Sequence, residues 1–186
     1  MSWTIDFSHS QIQFTARHMM LSKVRGQFEK FSGQVNLDEQ NPADTSVDIQ
    51  IETASVNTRE PRRDDHLRSP DFFNSAAYPV MTFKSKKVEV LDDQHAVLVG
   101  DLTIRNVTHE VKMDVEFVGK GKNPWGKWAY GFTAATRINR KDWDLTWNMA
   151  LETGGWLVSD EIDIAIEIEL VKVPEPAEAA RAAQAV

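Results

Sequence analysis

At 186 residues the chain has the length of one domain, large enough to bury a substantial core without disulfides or a metal. It contains no cysteine, which excludes disulfides, thiolate metal sites and a cysteine nucleophile. Twenty-eight acidic against 21 basic residues leave a net charge of −7, which disfavours nucleic acid and the adsorption of an extended face to an anionic membrane.

The first residues, Met1-Ser2-Trp3-Thr4-Ile5-Asp6, have neither a basic region nor an apolar stretch of signal-peptide length, so the chain as written is expected in the cytoplasm. No apolar run approaches the ~20 residues of a spanning helix, and no stable membrane insertion is expected. From Gln11 to His18 apolar and polar residues alternate, placing Ile12, Phe14, Ala16 and His18 on one face of a half-buried strand. Residues 24–37 start apolar on even positions (Val24, Phe28) and end on odd ones (Phe31, Gly33, Val35, Leu37), a change of phase that predicts a bulge near Glu29-Lys30. A turn follows over 36–46 with Asn41-Pro42, and Val47, Ile49, Ile51 and Thr53 mark a third strand.

The segment 55–83 breaks this pattern. A structureless loop of that length is uncommon inside a compact domain, so local structure is expected. Pro61 suits the first position of a short helix that Arg62 to Arg68 can continue, and Ser69, before Pro70, must leave it and can cap a second turn. That turn presents Phe72 and Phe73, which predicts a lid or plug whose aromatic end packs into what the strands enclose.

Beyond the insert, Met81 and Phe83 give way to Val88 and Val90, again with a change of phase, before Asp92-Asp93 ends the fourth strand. Residues 97–105 form the fifth, and Val111, Met113, Val115 and Phe117 mark the sixth. After a turn over 119–126, Trp128, Tyr130, Phe132, Ala134, Thr136 and Ile138 define the seventh, and the 142–155 connection carries Trp143 and Trp147, with Trp156 just beyond. The eighth sets Ile162, Ile164, Ile166, Ile168 and Leu170 against Glu161, Asp163, Glu167 and Glu169, one dry face and one wet. Eight antiparallel strands favour a closed up-and-down barrel, wide enough inside for side chains or one small ligand, with a two-sheet sandwich as the alternative. The barrel domain spans 1–173, and the Pro/Ala/Glu-rich stretch 174–186 is expected to be a flexible tail.

The five histidines include no HxH or HExxH pair, so metal-ligand spacing is missing, and no GxSxG, P-loop or GxGxxG motif occurs. Asp64, Asp65 and His66 read either as a headgroup contact or general base, or as the acidic first turn of a helix beside Arg62, Arg63 and Arg68. His18 reads either as a polar tip orienting a headgroup or as a satisfied core histidine. Phe14, Phe31, Phe83, Phe117 and Phe132 fall on the apolar phase and could simply be core. Small residues on the same phase (Ala16, Gly33, Thr53, Ala134, Thr136) and the absence of an inward acidic residue favour a cavity.

The run Arg63-Asp64-x-His66-Leu67-Arg68-Ser69-x-Asp71-Phe72-Phe73, with Tyr78-Pro79 and Thr82-Phe83 after it, resembles the signature of the YceI-like polyisoprenoid-binding family. Trp3-x-Ile5-Asp6-x-x-His9-Ser10, Gly100-Asp101-Leu102-Thr103-Ile104-Arg105 and Ile138-Asn139-Arg140-x-Asp142-Trp143 are similar in the same order. Asn106 and Asp144 depart from the glycines usual there, and asparagine tolerates the left-handed region. The resemblance implies a lipocalin-like barrel that sequesters one long-chain molecule, a polyisoprenoid, a quinone or a fatty acid or amide, and no catalysis. It also implies a homodimer and, if a leader has been removed, the periplasm. Ligand contacts are expected from Phe14, Ala16, His18, Phe31, Phe72, Phe73, Phe83, Met113, Phe117, Phe132, Ala134, Trp143 and Trp147, with no cofactor besides the bound lipid. An enzyme using the cavity as an acyl or prenyl tunnel, and a solid-core module that recognises a protein, are the alternatives.

Overall fold

The computed structural model describes residues 2–173, so the tail expected over 174–186 lies outside the described residues. The strands are β1 (Ser2–Ile5), β2 (Gln11–His18), β3 (Ser22–Phe28), β4 (Phe31–Asn36), β5 (Ser46–Glu52), β6 (Val56–Asn57), β7 (Val80–Val90), β8 (His95–Ile104), β9 (Val107–Lys122), β10 (Trp128–Asn139) and β11 (Glu161–Val173). One α-helix among the described residues, α1 (Pro61–Arg68), lies between β6 and β7. The strands form one antiparallel sheet in the order β4-β5-β7-β8-β9-β10-β11-β2-β3-β6, with β1 added to β11.

Eight strands were expected and eleven are present among the described residues. Residues 2–5 pair with the end of β11, Ile5 opposite Leu170, where the short run was too brief to read as a strand. The predicted second strand divides at Glu29-Lys30, because there the chain leaves β2 and its hydrogen bonds go to the opposite side: Glu29 N–H donates to Ser55 O and Lys30 O accepts from Glu52 N–H. The third addition is β6, two residues long, opposite Gln27 and Phe28. No continuous ladder closes the ring, since β4 and β6 are the ends of the path. The expected closed barrel is thus a curled sheet whose two ends are joined by the β3–β4 bend.

A bulge accounts for the remaining change of phase: register shifts at Ser85/Lys87 in β7, which turns Val88 to the same face as Met81 and Phe83. A second shift lies opposite Gly131/Phe132, where β9 carries the extra residue, Val118. At the β8–β9 turn the left-handed residue is Arg105 (φ 56°), not Asn106, whereas Asp144 (φ 58°) does take the left-handed cap after the 3₁₀ turn Arg140–Trp143. The core lies inside the curl, built from the inward phase of every long strand.

Strands β2, β5, β8 and β10 run toward one end, which the insert and the 140–160 connection cover. The opposite end carries the β9–β10 hairpin and the 37–45 loop, which is tied across it by Glu39: the carboxylate accepts from Tyr130 Oη at 3.0 Å and pairs with Lys172.

Candidate functional site

The inward phases enclose a cavity of about 520 Å³. β11 supplies the alternate isoleucines Ile162, Ile164, Ile166 and Ile168, and β2, paired with it at Ile166↔Ile12 and Ile164↔Phe14, supplies Ile12, Phe14, Ala16 and His18. Opposite them stand Ile49 and Ile51 of β5, Met81 and Phe83 of β7, Leu98 and Leu102 of β8 and Met113 of β9. Two glycines shape this wall. A Cβ on Gly26 would lie 2.4 Å from Phe14 Cζ, and one on Gly100 would lie 2.5 Å from Phe83 Cζ. Each ring therefore lies in a notch that any larger residue would fill.

Among the described residues no carboxylate lines the cavity, and most of its polar groups gather at the insert end: Arg17, His18, Thr58, Arg63, His66 and Arg140. The first position of α1 is Pro61, and the Glu60 side chain accepts from Arg62 N–H at 3.2 Å, one of the donors a helix start leaves unpaired. Ser69 ends the helix. Its hydroxyl donates to His66 O at 2.7 Å, and Phe72 and Phe73 follow in the next turn. His66 meets Trp147 edge-on at 4.5 Å and Phe72 at 5.1 Å, and its Nε2 lies 2.9 Å from Asp71 Oδ2. Behind these rings Phe73 meets Phe28 edge-on at 5.6 Å, and Phe28 lies tilted against Phe14 at 5.6 Å.

The cations of the insert are largely committed to holding it together. Asp64 is buried and accepts from Thr58 N–H at 2.8 Å and from Thr58 Oγ1 at 2.6 Å, while Arg63 Nε donates to the same hydroxyl at 2.7 Å. Arg68 donates to Ala54 O and Val56 O and pairs with Asp65. Arg140, only 3% exposed, donates to the carbonyls of Leu145, Trp147 and Ser159 and reaches Asp160. Burial pulls its guanidinium below the ordinary value, Asp160 opposing the effect. That one side chain fastens the connection that brings Trp147, Leu157 and Val158 against the cavity.

Of the thirteen expected contacts, Phe14, Ala16, His18, Phe72, Phe73, Phe83, Met113, Phe132, Ala134 and Trp147 line the cavity. Phe31, Phe117 and Trp143 do not. Phe31 packs edge-on against Phe7 at 5.3 Å, and Phe117 stacks on Tyr130 and Phe132 beyond the cavity's hairpin end. Trp143 is buried under the 3₁₀ turn, its indole N–H donating to Leu102 O at 3.0 Å. Among the small residues, Ala16 and Ala134 make room, whereas Thr53 and Thr136 spend their hydroxyls on the carbonyls of Tyr78 and Lys112. Gly33 serves contact instead of space, since a Cβ there would lie 2.1 Å from Asp48 O. The β11 isoleucines and Ile12 were missed as lining residues although their alternation was visible. His66 and Arg140 carried no periodic signal.

The fold also assembles one cluster that sequence spacing hides. Ligand atoms of Asp6, His9 and Glu169 come within 4.8 Å of one another at the surface, outside the cavity. Asp6 and His9 are already bonded, Oδ2 to Nδ1 at 3.0 Å. Hydrogen bonds from Ser8 and then His9 hold the Asp6 carboxyl down to about 2, and Asp6 raises the His9 imidazole.

Similarity to known proteins bears on this arrangement. A family model described as the YceI-like domain matches residues 3–170. The protein YceI of Escherichia coli O157:H7 is 38% identical over 164 residues, covering 88% of this chain and 82% of that one. The solved YceI protein of Campylobacter jejuni superposes with a TM-score of 0.74 at 34% identity, over 85% of this chain and 90% of its own. A polyisoprenoid-binding domain from Saccharophagus degradans shares the fold, with a TM-score of 0.67 at 14% identity over 92% of this chain and 99% of its own.

Proposed function

Since this chain belongs to the YceI-like domain family, we propose that it binds and sequesters one long-chain apolar molecule in the cavity, a polyisoprenoid, a quinone or a fatty acid or amide. One observation carries the reading: a cavity of about 520 Å³, within the ~300–1,000 Å³ range of ligand sites, whose lining is apolar over most of its length and polar mainly at one end. Burial at about 0.8 kcal/mol per CH₂ makes affinity grow with chain length and carries little information about identity. Orientation falls to the insert end. A neutral or anionic head fits there, because His18, His66, Arg17 and Arg63 line that end and no carboxylate does. The polyisoprenoid-binding neighbour is consistent with such a ligand.

A second reading has one feature in its favour, the hydrogen-bonded His66–Asp71 pair, which resembles a general base and its orienter. It lacks a nucleophile. The hydroxyls lining the cavity belong to Thr45 and Thr58, and Thr58 is bonded to Asp64 and Arg63. Water could still serve, so His66→Ala should be assayed both for retention of a prenyl probe and for its hydrolysis. Sequestration predicts weaker retention and no turnover in either protein.

The reading is tested by native mass spectrometry and gentle organic extraction of freshly purified protein. A lipid at near one per chain is expected. Failure to recover one, together with no binding of added ubiquinone, prenyl diphosphate or long-chain amide, would sink the carrier reading and leave a protein-interaction module as the better description.

A further inference from the structure

The β9–β10 hairpin outruns the rest of the sheet. The last β9 residue opposite β8 is Glu116, and the first β10 residue opposite β11 is Ala129, so beyond Glu116 β9 is an edge without β8, and the hairpin projects past both neighbouring strands at residues 122–128. Its sequence, Gly119-Lys-Gly-Lys-Asn-Pro-Trp-Gly-Lys-Trp128, holds two tryptophans and three lysines. Between Glu116 and Asp142 there is no acidic residue and there are six basic ones, in a chain of net charge −7.

The tip is ordered by its own chemistry. Asn123 Oδ1 accepts from Trp125 N–H at 3.1 Å and Lys127 N–H at 2.9 Å, and Gly126 (φ 78°) donates to Asn123 O at 2.9 Å. Trp125 is thus held out at 81% exposure, with Trp128 at 42% and Val118 at 62%. Cross-strand register puts Lys120 opposite Tyr130 and Lys122 opposite Trp128, and each ammonium sits over its ring, at 5.4 and 5.3 Å. Among the described residues none of the three lysines is in an ion pair within the fold. The opposite face of the ribbon is bare, with nothing within 4 Å of where a Cβ on Gly119 or Gly121 would be.

We propose that this hairpin docks the protein on an anionic lipid bilayer, its indoles at headgroup depth and Lys120, Lys122 and Lys127 against the anionic headgroups. Indoles prefer that depth, and basic residues are attracted by anionic lipid. Near the hairpin Glu39 faces Lys120 but is paired with Lys172, and at ~0.15 M salt charges beyond about 8 Å are screened. A stable protein interface takes about 20–30 residues a side, against ten in the stretch 119–128, which counts against a second copy or a protein ligand as occupant. Among the other exposed apolar side chains, Met20 and Trp156 share their surroundings with Asp160, Glu161 and Asp163 as well as Arg17, Lys23 and Arg137, so no net positive charge draws an anionic surface there. Docking goes beyond the cavity reading and does not depend on it, so protein stripped of lipid should dock equally.

Flotation with vesicles of phosphatidylcholine, with and without one-third phosphatidylglycerol, tests it. Binding is expected to the anionic vesicles only and to vanish near ~1 M salt, where the screening length falls to ~3 Å. Replacing the three lysines by glutamine should weaken binding on the order of a hundredfold, about fivefold per lysine. Trp125→Ser should weaken it at least ~tenfold and remove quenching of fluorescence by brominated lipid. Far-UV circular dichroism checks that both variants remain folded, and the lipid and salt dependence of the unaltered protein stands even if they do not. Equal binding to neutral vesicles, no binding, unaltered binding by folded variants, or a dimer that Trp125→Ser dissociates would each overturn the proposal.

Discussion

Ala134 separates a cavity from a solid core most directly. It faces inward between Val115 of β9 and Ile166 of β11, and all three line the cavity. In Ala134→Trp the indole has about 150–250 Å² to bury, the area of roughly five methylenes or more at ~0.8 kcal/mol and ~25 cal/mol/Å². If that area is taken from a bound chain, affinity falls by about 4 kcal/mol, or about a thousandfold. The empty protein should lose little, because the indole occupies space that no protein atom fills. In a solid core the same change overpacks and costs typically ~1–3 kcal/mol or more, which at ~2–4 °C per kcal/mol for a domain of this size is a fall of up to ~12 °C. The assay pairs a titration with a prenyl probe against thermal unfolding of lipid-free protein. A melting temperature lowered by ~10 °C with probe affinity intact would refute the cavity.

Phe72 and Phe73 line the insert end of the cavity and pack on Trp147, His66 and Phe28, so replacing both by Ser should leave the strands' circular dichroism and weaken prenyl-probe binding; unchanged affinity would reduce the insert to ordinary packing. Gly100→Ala sets a Cβ 2.5 Å from Phe83 Cζ and 2.6 Å from Lys84 O, so a loss of ~1–3 kcal/mol in urea unfolding is expected, and an unmoved midpoint would show that the notch is not tight. Asp6 has a depressed folded value of about 2, so its contribution to stability is complete above its ordinary value and disappears as pH falls toward 2. His9 has a raised folded value, so its contribution is complete below its ordinary value and disappears as pH rises through the folded one. In Asp6→Asn the His9 C2–H resonance should titrate at lower pH than in the unaltered protein, and an unshifted titration would mean that the pair does not form in solution.

Local chain chemistry was enough to say which face of each long strand turns inward. Side chains alternate with period two, so Phe14, Ala16 and His18, or Phe132 and Ala134, share a face wherever the strand goes, and changes of phase near Glu29-Lys30 and after Phe83 mark where it bends. Helix α1 was legible for a similar reason: Pro61 and the Ser69-Pro70 step act on their own backbone. Position along the curl was not legible. Phe31 and Phe117 have the same phase as residues that line the cavity yet lie outside it, because the stagger of neighbouring strands sets how far along the axis each residue falls. Contacts between distant segments were equally hidden. His66 meets Trp147, and Gly100 admits the Phe83 ring, through pairings that exist only once the sheet has curled, while Trp143 turned away to reach Leu102 O because a buried indole N–H needs an acceptor.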